Sequence, residues 1–146
     1  MAWIIYDNFV LAQHNGAALD LDSDADIKVM ITTDSYSPAK ATHDFLADDA
    51  GTNEVTGSGY TAGGTALGSK TVALSTAVVT FDAANVTWSQ NASGFANGRY
   101  AVLYKSTASD ATAPLIAYAD IGASKGNVAG DLTLEMSVAG IFTATN

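Results

Sequence analysis

Cysteine is absent from the 146 residues of this chain. Disulfides, thiolate metal sites and thiol nucleophiles are therefore excluded, and the fold owes nothing to covalent staples. Basic residues are scarce, six against fifteen acids, for a formal charge of −9. Such a surface repels phosphate backbones and anionic lipid headgroups, which argues against nucleic acid and membrane as partners. Charge of either sign is sparse at 14% of residues, so solvent-facing positions fall largely to the plentiful Ala, Gly, Thr and Ser. No window approaches the ~18 apolar residues of a membrane span. The opening Met1-Ala2-Trp3-Ile4-Ile5-Tyr6 is too short for a signal h-region and has no basic lead-in. The expectation is a protein made in the cytoplasm that stays soluble.

What is present suits a β domain. The length is that of one ordinary domain, with no linker-like stretch, so residues 1–146 are expected to form one unit. A domain of this size buries roughly 70% of the surface of its unfolded chain. Asp7 to His14 predicts a short helix, with Asp7 as N-cap, Phe9 and Val10 at helical spacing from Gln13 and His14, and Gly16 as the stop. Asp26 to Thr33 alternates, with Ile27, Val29 and Ile31 on one face and Lys28, Met30 and Thr32 on the other. Ser35 to Pro38 turns the chain, and Thr42 to Asp48 allows at most one helical turn. Residues 51–69 predict a long Gly/Thr/Ser loop with a short strand around Asn53 to Val55.

Strand signals then recur at short intervals, at Lys70–Ser75, Ala77–Phe81, Asn85–Ser89, Arg99–Lys105, Leu115–Ile121, Asp131–Val138 and Ile141–Thr143. Seven or eight short strands separated by Gly, Asn, Asp and Ser turns predict an all-β fold, a single antiparallel β-sandwich (jelly-roll-like) with one or two short helices. No predicted helix is long enough for a parallel crossover.

Several patterns invite a chemical reading and fail on context. Asp20, Asp22, Asp24 and Asp26 alternate as calcium ligands do. An EF-hand loop begun at Asp20 needs Gly at position six and Glu at position twelve, where the chain has Ala25 and Ile31. A solvated acidic turn is the better reading. Gly122-Ala123-Ser124-Lys125-Gly126 matches G-x-S-x-G, but the nucleophile elbow must open a helix and here a strand follows. A Gly-rich hairpin turn is expected there. Ser37-Pro38-Ala39-Lys40 lacks the Ser-Asp-Asn and Lys-Thr-Gly partners of its class, and Gly63 to Thr71 has one residue too many for a phosphate loop. His43-Asp44 are sequence neighbours that point apart in extended chain. The sequons at Asn85 and Asn91 need a secretory route to matter. Of the aromatics, Trp88, Tyr100 and Tyr104 sit in alternating strands and are expected in the core. No catalytic residue, cofactor or metal site is assigned.

Taken in order, Asp26-Ile27-Lys28-Val29-Met30, Ser35-Tyr36-Ser37-Pro38, Thr42-His43-Asp44-Phe45 and Asn53-Glu54-Val55 form a recognisable series. It continues through Gly57-Ser58-Gly59-Tyr60-Thr61-Ala62-Gly63-Gly64, Val86-Thr87-Trp88 and Pro114-Leu115-Ile116-Ala117-Tyr118. The series, over roughly residues 24–140, resembles small structural proteins of tailed bacteriophages. The resemblance implies a non-enzymatic virion component, a decoration or cement protein on the capsid exterior. It would bridge major capsid protein subunits as a homotrimer near local three-fold positions. Residues 1–23 are a candidate docking segment or short helix, with Trp3, Ile4, Ile5 and Tyr6 as its apolar anchor. The alternative is a tail or fibre module that binds a host-surface glycan through exposed aromatics such as Tyr36 or Tyr60.

Overall fold

The alternating stretch from Tyr100 to Tyr104 forms the middle of a five-stranded antiparallel sheet. In the computed structural model, which describes residues 1–16, 19–137 and 139–145, that sheet runs in the order β1 (Trp3–Ile5), β8 (Leu115–Lys125), β7 (Gly98–Lys105), β2 (Ile27–Thr33), β3 (Thr65–Ala66). A second sheet places β5 (Val78–Asp82) between β10 (Phe142–Thr145) and β4 (Thr71–Ser75), and β6 (Val86–Trp88) pairs with β9 (Leu132–Leu134). All pairings are antiparallel. One α-helix, α1 (Asp7–His14), and single-turn 3-10 helices at Leu46–Asp48, Gly51–Asn53 and Asp110–Thr112 complete the described elements. The expected all-β class with a short helix is met. The pairing gives three sheets, and does not by itself make the two-layer sandwich or jelly-roll connectivity expected from the sequence.

Residues opposite one another in an antiparallel ladder share a face, so the register sorts the core. Val29 and Ile31 lie with Leu103, Ala101, Ala117 and Ala119 on one side of the large sheet. Met30 and Thr32 lie with Val102, Tyr100 and Tyr118 on the other. Alternation set Ile27, Val29 and Ile31 apart from Met30 and Thr32 in β2, yet Met30 and Thr32 are as fully buried as Val29 and Ile31. The second face is covered by aromatics from outside the sheet. Tyr6 packs on Tyr118 at 5.2 Å between ring centroids, and Tyr36 packs edge-on against Tyr100 at 6.0 Å.

Three strand expectations need correction. Around Asn53 to Val55 the chain makes a 3-10 turn, and only an isolated bridge from Glu54 to Thr32 joins it to β2. The expected hairpin turn at 122–126 is instead an irregular extension of β8. Gly98 pairs with Lys125 and Tyr100 with Asp120, and the surplus residues of β8 are absorbed by left-handed backbone at Gly122 (φ +89°) and Ser124 (φ +55°). The last long strand stops at Leu134, because the Met136 N–H donates to Asn85 Oδ1 at 2.8 Å instead of joining a ladder. Val138 lies outside the described residues.

The loops are held by one buried amide. Asn127 is fully buried. Its Oδ1 accepts from the Phe95 N–H (3.0 Å) and its Nδ2 donates to the carbonyls of Ser89 (2.9 Å) and Ser58 (3.4 Å). Its own N–H donates to the Phe95 carbonyl, and its carbonyl accepts from the Asn91 N–H. Three segments far apart in sequence thus share one node.

Four carboxylates sit below their ordinary range, Asp20 through hydrogen bonds with Ser23 and Asp22. Asp24 is held down by the Lys105 ammonium, Asp48 by the N–H groups of Phe45 and Asp44, and Asp120 by the Gly122 N–H and Arg99. A lowered folded-state pKa means stability that is complete above the unfolded value of about 3.9 and lost as pH falls through the folded value. The urea midpoint is therefore expected to hold from pH 7 to about 5 and to fall toward pH 3. A midpoint unchanged at pH 3 would show that these contacts add nothing.

Candidate docking surface

The N-terminal segment enters the fold as an edge strand. Trp3, Ile4 and Ile5 pair with Ala119, Tyr118 and Ala117 of β8, so side chains alternate across the sheet. Ile4 projects outward and is 43% exposed, while Trp3 and Ile5 are half-buried against the core. Tyr6 is fully buried. Its N–H donates to the Ile116 carbonyl (3.1 Å) and its hydroxyl lies 2.6 Å from that of Tyr36. Of the four anchors expected from the sequence, Ile4 alone is exposed. Tyr6 belongs to the interior, and burial pushes its phenol well above its ordinary pKa.

α1 begins at Asp7 itself, the residue expected to cap it, so the helix starts one residue earlier than the sequence suggested. Tyr6 occupies the N-cap position without a side-chain bond, and Asp7 is the first helical residue. There Asp7 complements the positive helix end and pairs with Lys40 at 2.7 Å. Phe9 is the helix residue buried against the core, edge-on to Phe142 at 6.0 Å. Val10 and Leu11 face outward, Leu11 at 56% exposure. Between α1 and the three-stranded sheet runs an apolar groove of about 450 Å³, lined by Ile5, Val10, Leu19, Val72, Val79 and Phe142 among others. Val72, Leu74 and Val79 of the β4–β5 hairpin are exposed as well. Sequence reasoning missed this hairpin surface, because alternation at Val72 and Leu74 reads as an ordinary inward face.

The residues weighed for chemistry are dispersed or occupied. His43 stacks on Tyr36, with Nδ1 at 3.3 Å from the Tyr36 hydroxyl, and burial pushes that phenol up to about 12. Ser124 is exposed near the end of β8. Asp24 pairs with Lys105 and accepts from the Asp26 N–H at 2.9 Å. Among the described residues no group of three or more potential metal ligands forms, and no helix is long and apolar enough to cross a membrane. Gly63 to Thr71 carries β3 and the start of β4, with no helix whose N-terminus would face a phosphate.

The aromatics proposed for glycan stacking point inward. Tyr36 and Trp88 are buried. Tyr60 stacks on Trp88 at 5.9 Å, donates to Glu54 Oε1 at 2.7 Å and accepts from the Ile31 N–H. Among the described residues no Trp, Tyr or Phe is exposed.

No protein family, curated protein or solved structure matches the chain.

Among the described residues the surface is made of small, neutral and acidic side chains, and the large exposed apolar side chains are Met1, Ile4, Val10, Leu11, Val72, Leu74 and Val79. These lie on the N-terminal edge strand, the helix behind it and one hairpin. Val10, Val72 and Val79 share the groove.

Proposed function

We propose that this chain is a non-enzymatic structural protein of a tailed-bacteriophage particle, a decoration or cement protein on the outer shell. It would bridge neighbouring major capsid protein subunits, with copies grouped as trimers about local three-fold positions. The observation that carries the reading is the composition of the exposed apolar surface: among the described residues it is aliphatic and lies on the N-terminal edge, α1 and one hairpin, on a chain of net charge −9. Dry aliphatic contacts suit permanent packing against another protein. An acidic exterior suits a position outside a DNA-filled shell better than inside it. The glycan-binding alternative needs an aromatic platform open to solvent, and the rings that would supply it are engaged in the interior.

Each contact to the shell would be modest, and repetition over many copies makes attachment durable. Ile4 and Leu11 are the side chains to alter, since Trp3, Ile5 and Tyr6 support the fold. Ile4→Ser with Leu11→Ser is expected to leave the melting temperature within a few degrees, as exposed substitutions usually do. It should lower occupancy on purified particles at least tenfold. Full occupancy of the double variant would remove the N-terminal segment from the docking surface.

A further inference from the structure

The β4–β5 hairpin, part of the exposed apolar surface, also presents a strand edge. Its two-residue turn, Thr76-Ala77, has positive φ at both positions (+49° and +63°), the geometry of a type I′ turn. Such a turn makes Ser75–Val78 a hydrogen-bonded pair, so Val72–Phe81 and Leu74–Val79 are the non-bonded pairs. The Phe81 carbonyl accepts from the Ile141 N–H at 2.7 Å, on the side away from β4, as this phase requires. The N–H and C=O groups of Val72 and Leu74 therefore point off the edge of the sheet, where β4 has no neighbour among the described residues. All five residues of β4 are exposed, Leu74 at 74%.

The edge is also self-complementary. Val72 and Leu74 share a face with Val79, Phe81 and Phe142, while Thr71, Ala73 and Ser75 share the other. An antiparallel copy centred on Ala73 sets Val72 against the second copy's Leu74, Thr71 against its Ser75 and Ala73 against Ala73. Aliphatic meets aliphatic and hydroxyl meets hydroxyl. The outward groups of Val72 and Leu74 become each other's partners in this register. From Thr71 to Phe81 there is no charged residue, so two acidic molecules can meet here without opposing carboxylates. Edge strands normally avoid such pairing with Lys, Pro or a bulge, and β4 has none of these.

We infer that β4 pairs with β4 of a second copy about a two-fold axis, joining the two small sheets into one of six strands. In an isologous contact each residue meets its symmetry partner, so the contact closes at two copies. On a shell, this pairing would link copies that belong to neighbouring three-fold groups, through a surface separate from Ile4 and Leu11.

The test uses the missing cysteines. In the proposed register Ala73 faces its own mate as a non-hydrogen-bonded pair, with Cα atoms about 4.5 Å apart, inside the range a disulfide spans. Two Ser75 positions would be about 14 Å apart at ~3.4 Å per residue. Under mild oxidation Ala73→Cys should cross-link to a covalent dimer at least ten times faster than Ser75→Cys. By light scattering the unmodified chain should have twice its monomer mass, more completely at high salt because repulsion between acidic copies is screened. Val72→Pro removes an outward N–H that the hairpin does not use, and should return the protein to monomer. Equal cross-linking at residues 73 and 75 would overturn the inference. So would an assembly that Val72→Pro leaves intact, whatever its size, or a chain that stays monomeric at high micromolar concentration and high salt.

Discussion

Replacing Asn127 by alanine is expected to cost on the order of 3 kcal/mol, because it strands a buried N–H at Phe95 and a carbonyl at Ser89, each worth about 1–3 kcal/mol when unpaired. At roughly 4 °C per kcal/mol for a chain of this size, the melting temperature should fall by about 10 °C. Asn127→Asp separates the roles of the two side-chain atoms. It keeps the acceptor for Phe95 but turns a carboxylate toward the Ser89 and Ser58 carbonyls. Such a carboxyl has its pKa raised in the folded state, since burial and facing oxygens favour the neutral form. The penalty is therefore small below the unfolded value of about 3.9 and grows as pH rises above it. The difference between Asn127→Asp and the unmodified protein should accordingly widen from pH 4 to pH 7. A constant difference would mean that the amide hydrogens are not what joins these loops.

A second large effect is expected at Gly64. Its backbone is left-handed (φ +70°), and an added Cβ would lie 2.0 Å from the Val29 carbonyl oxygen and 2.7 Å from the Met30 Cα. Those atoms belong to β2, which is bonded to β7 along its length, so neither can withdraw cheaply. Gly64→Ala combines a strained φ with a main-chain collision and should destabilise by about 3 kcal/mol or more. Gly16 supplies the comparison. It has φ +78° but nothing within 4 Å of the added atom, so Gly16→Ala isolates the conformational part, about 1 kcal/mol. If the two variants unfold at the same urea concentration, the close approach of the Thr61–Gly64 turn to β2 is not holding that loop in place.

Elements with a local cause were legible in the sequence. α1 was bounded by Asp7, its apolar spacing and Gly16. The strands at 26–33, 70–75, 77–81, 85–89 and 99–105 followed from alternation, and the structure places β2, β4, β5, β6 and β7 there within a residue or two. What alternation does not encode is a second covering layer. Met30 and Thr32 read as the face opposite Ile27, Val29 and Ile31, and the folding back of Tyr6 and Tyr36 buries their side of the sheet. The end of β9 was hidden for a similar reason, since it depends on Asn85, far away in sequence. The docking segment was legible as an apolar run, but not in which side chains it presents. Strand pairing with β8 turns Ile4 out, and the helix that begins at Asp7 fixes Tyr6 inside. The hairpin edge escaped notice because exposure of Val72 and Leu74 depends on what fails to pack over them.

The central claim is that this protein sits on the outside of a phage shell and ties coat subunits together. A density map of the intact particle, compared with one from a virus lacking the gene, tests it most directly. The account predicts a small β-rich density on the outer capsid surface, touching at least two coat subunits near each local three-fold position. Ile4 and Leu11 should lie in the contact, and the density should be absent from the deletion particles, which should also release DNA at lower temperature. Density on the tail or a fibre instead, with deletion particles that keep their DNA but fail to adsorb to cells, would contradict the cement function.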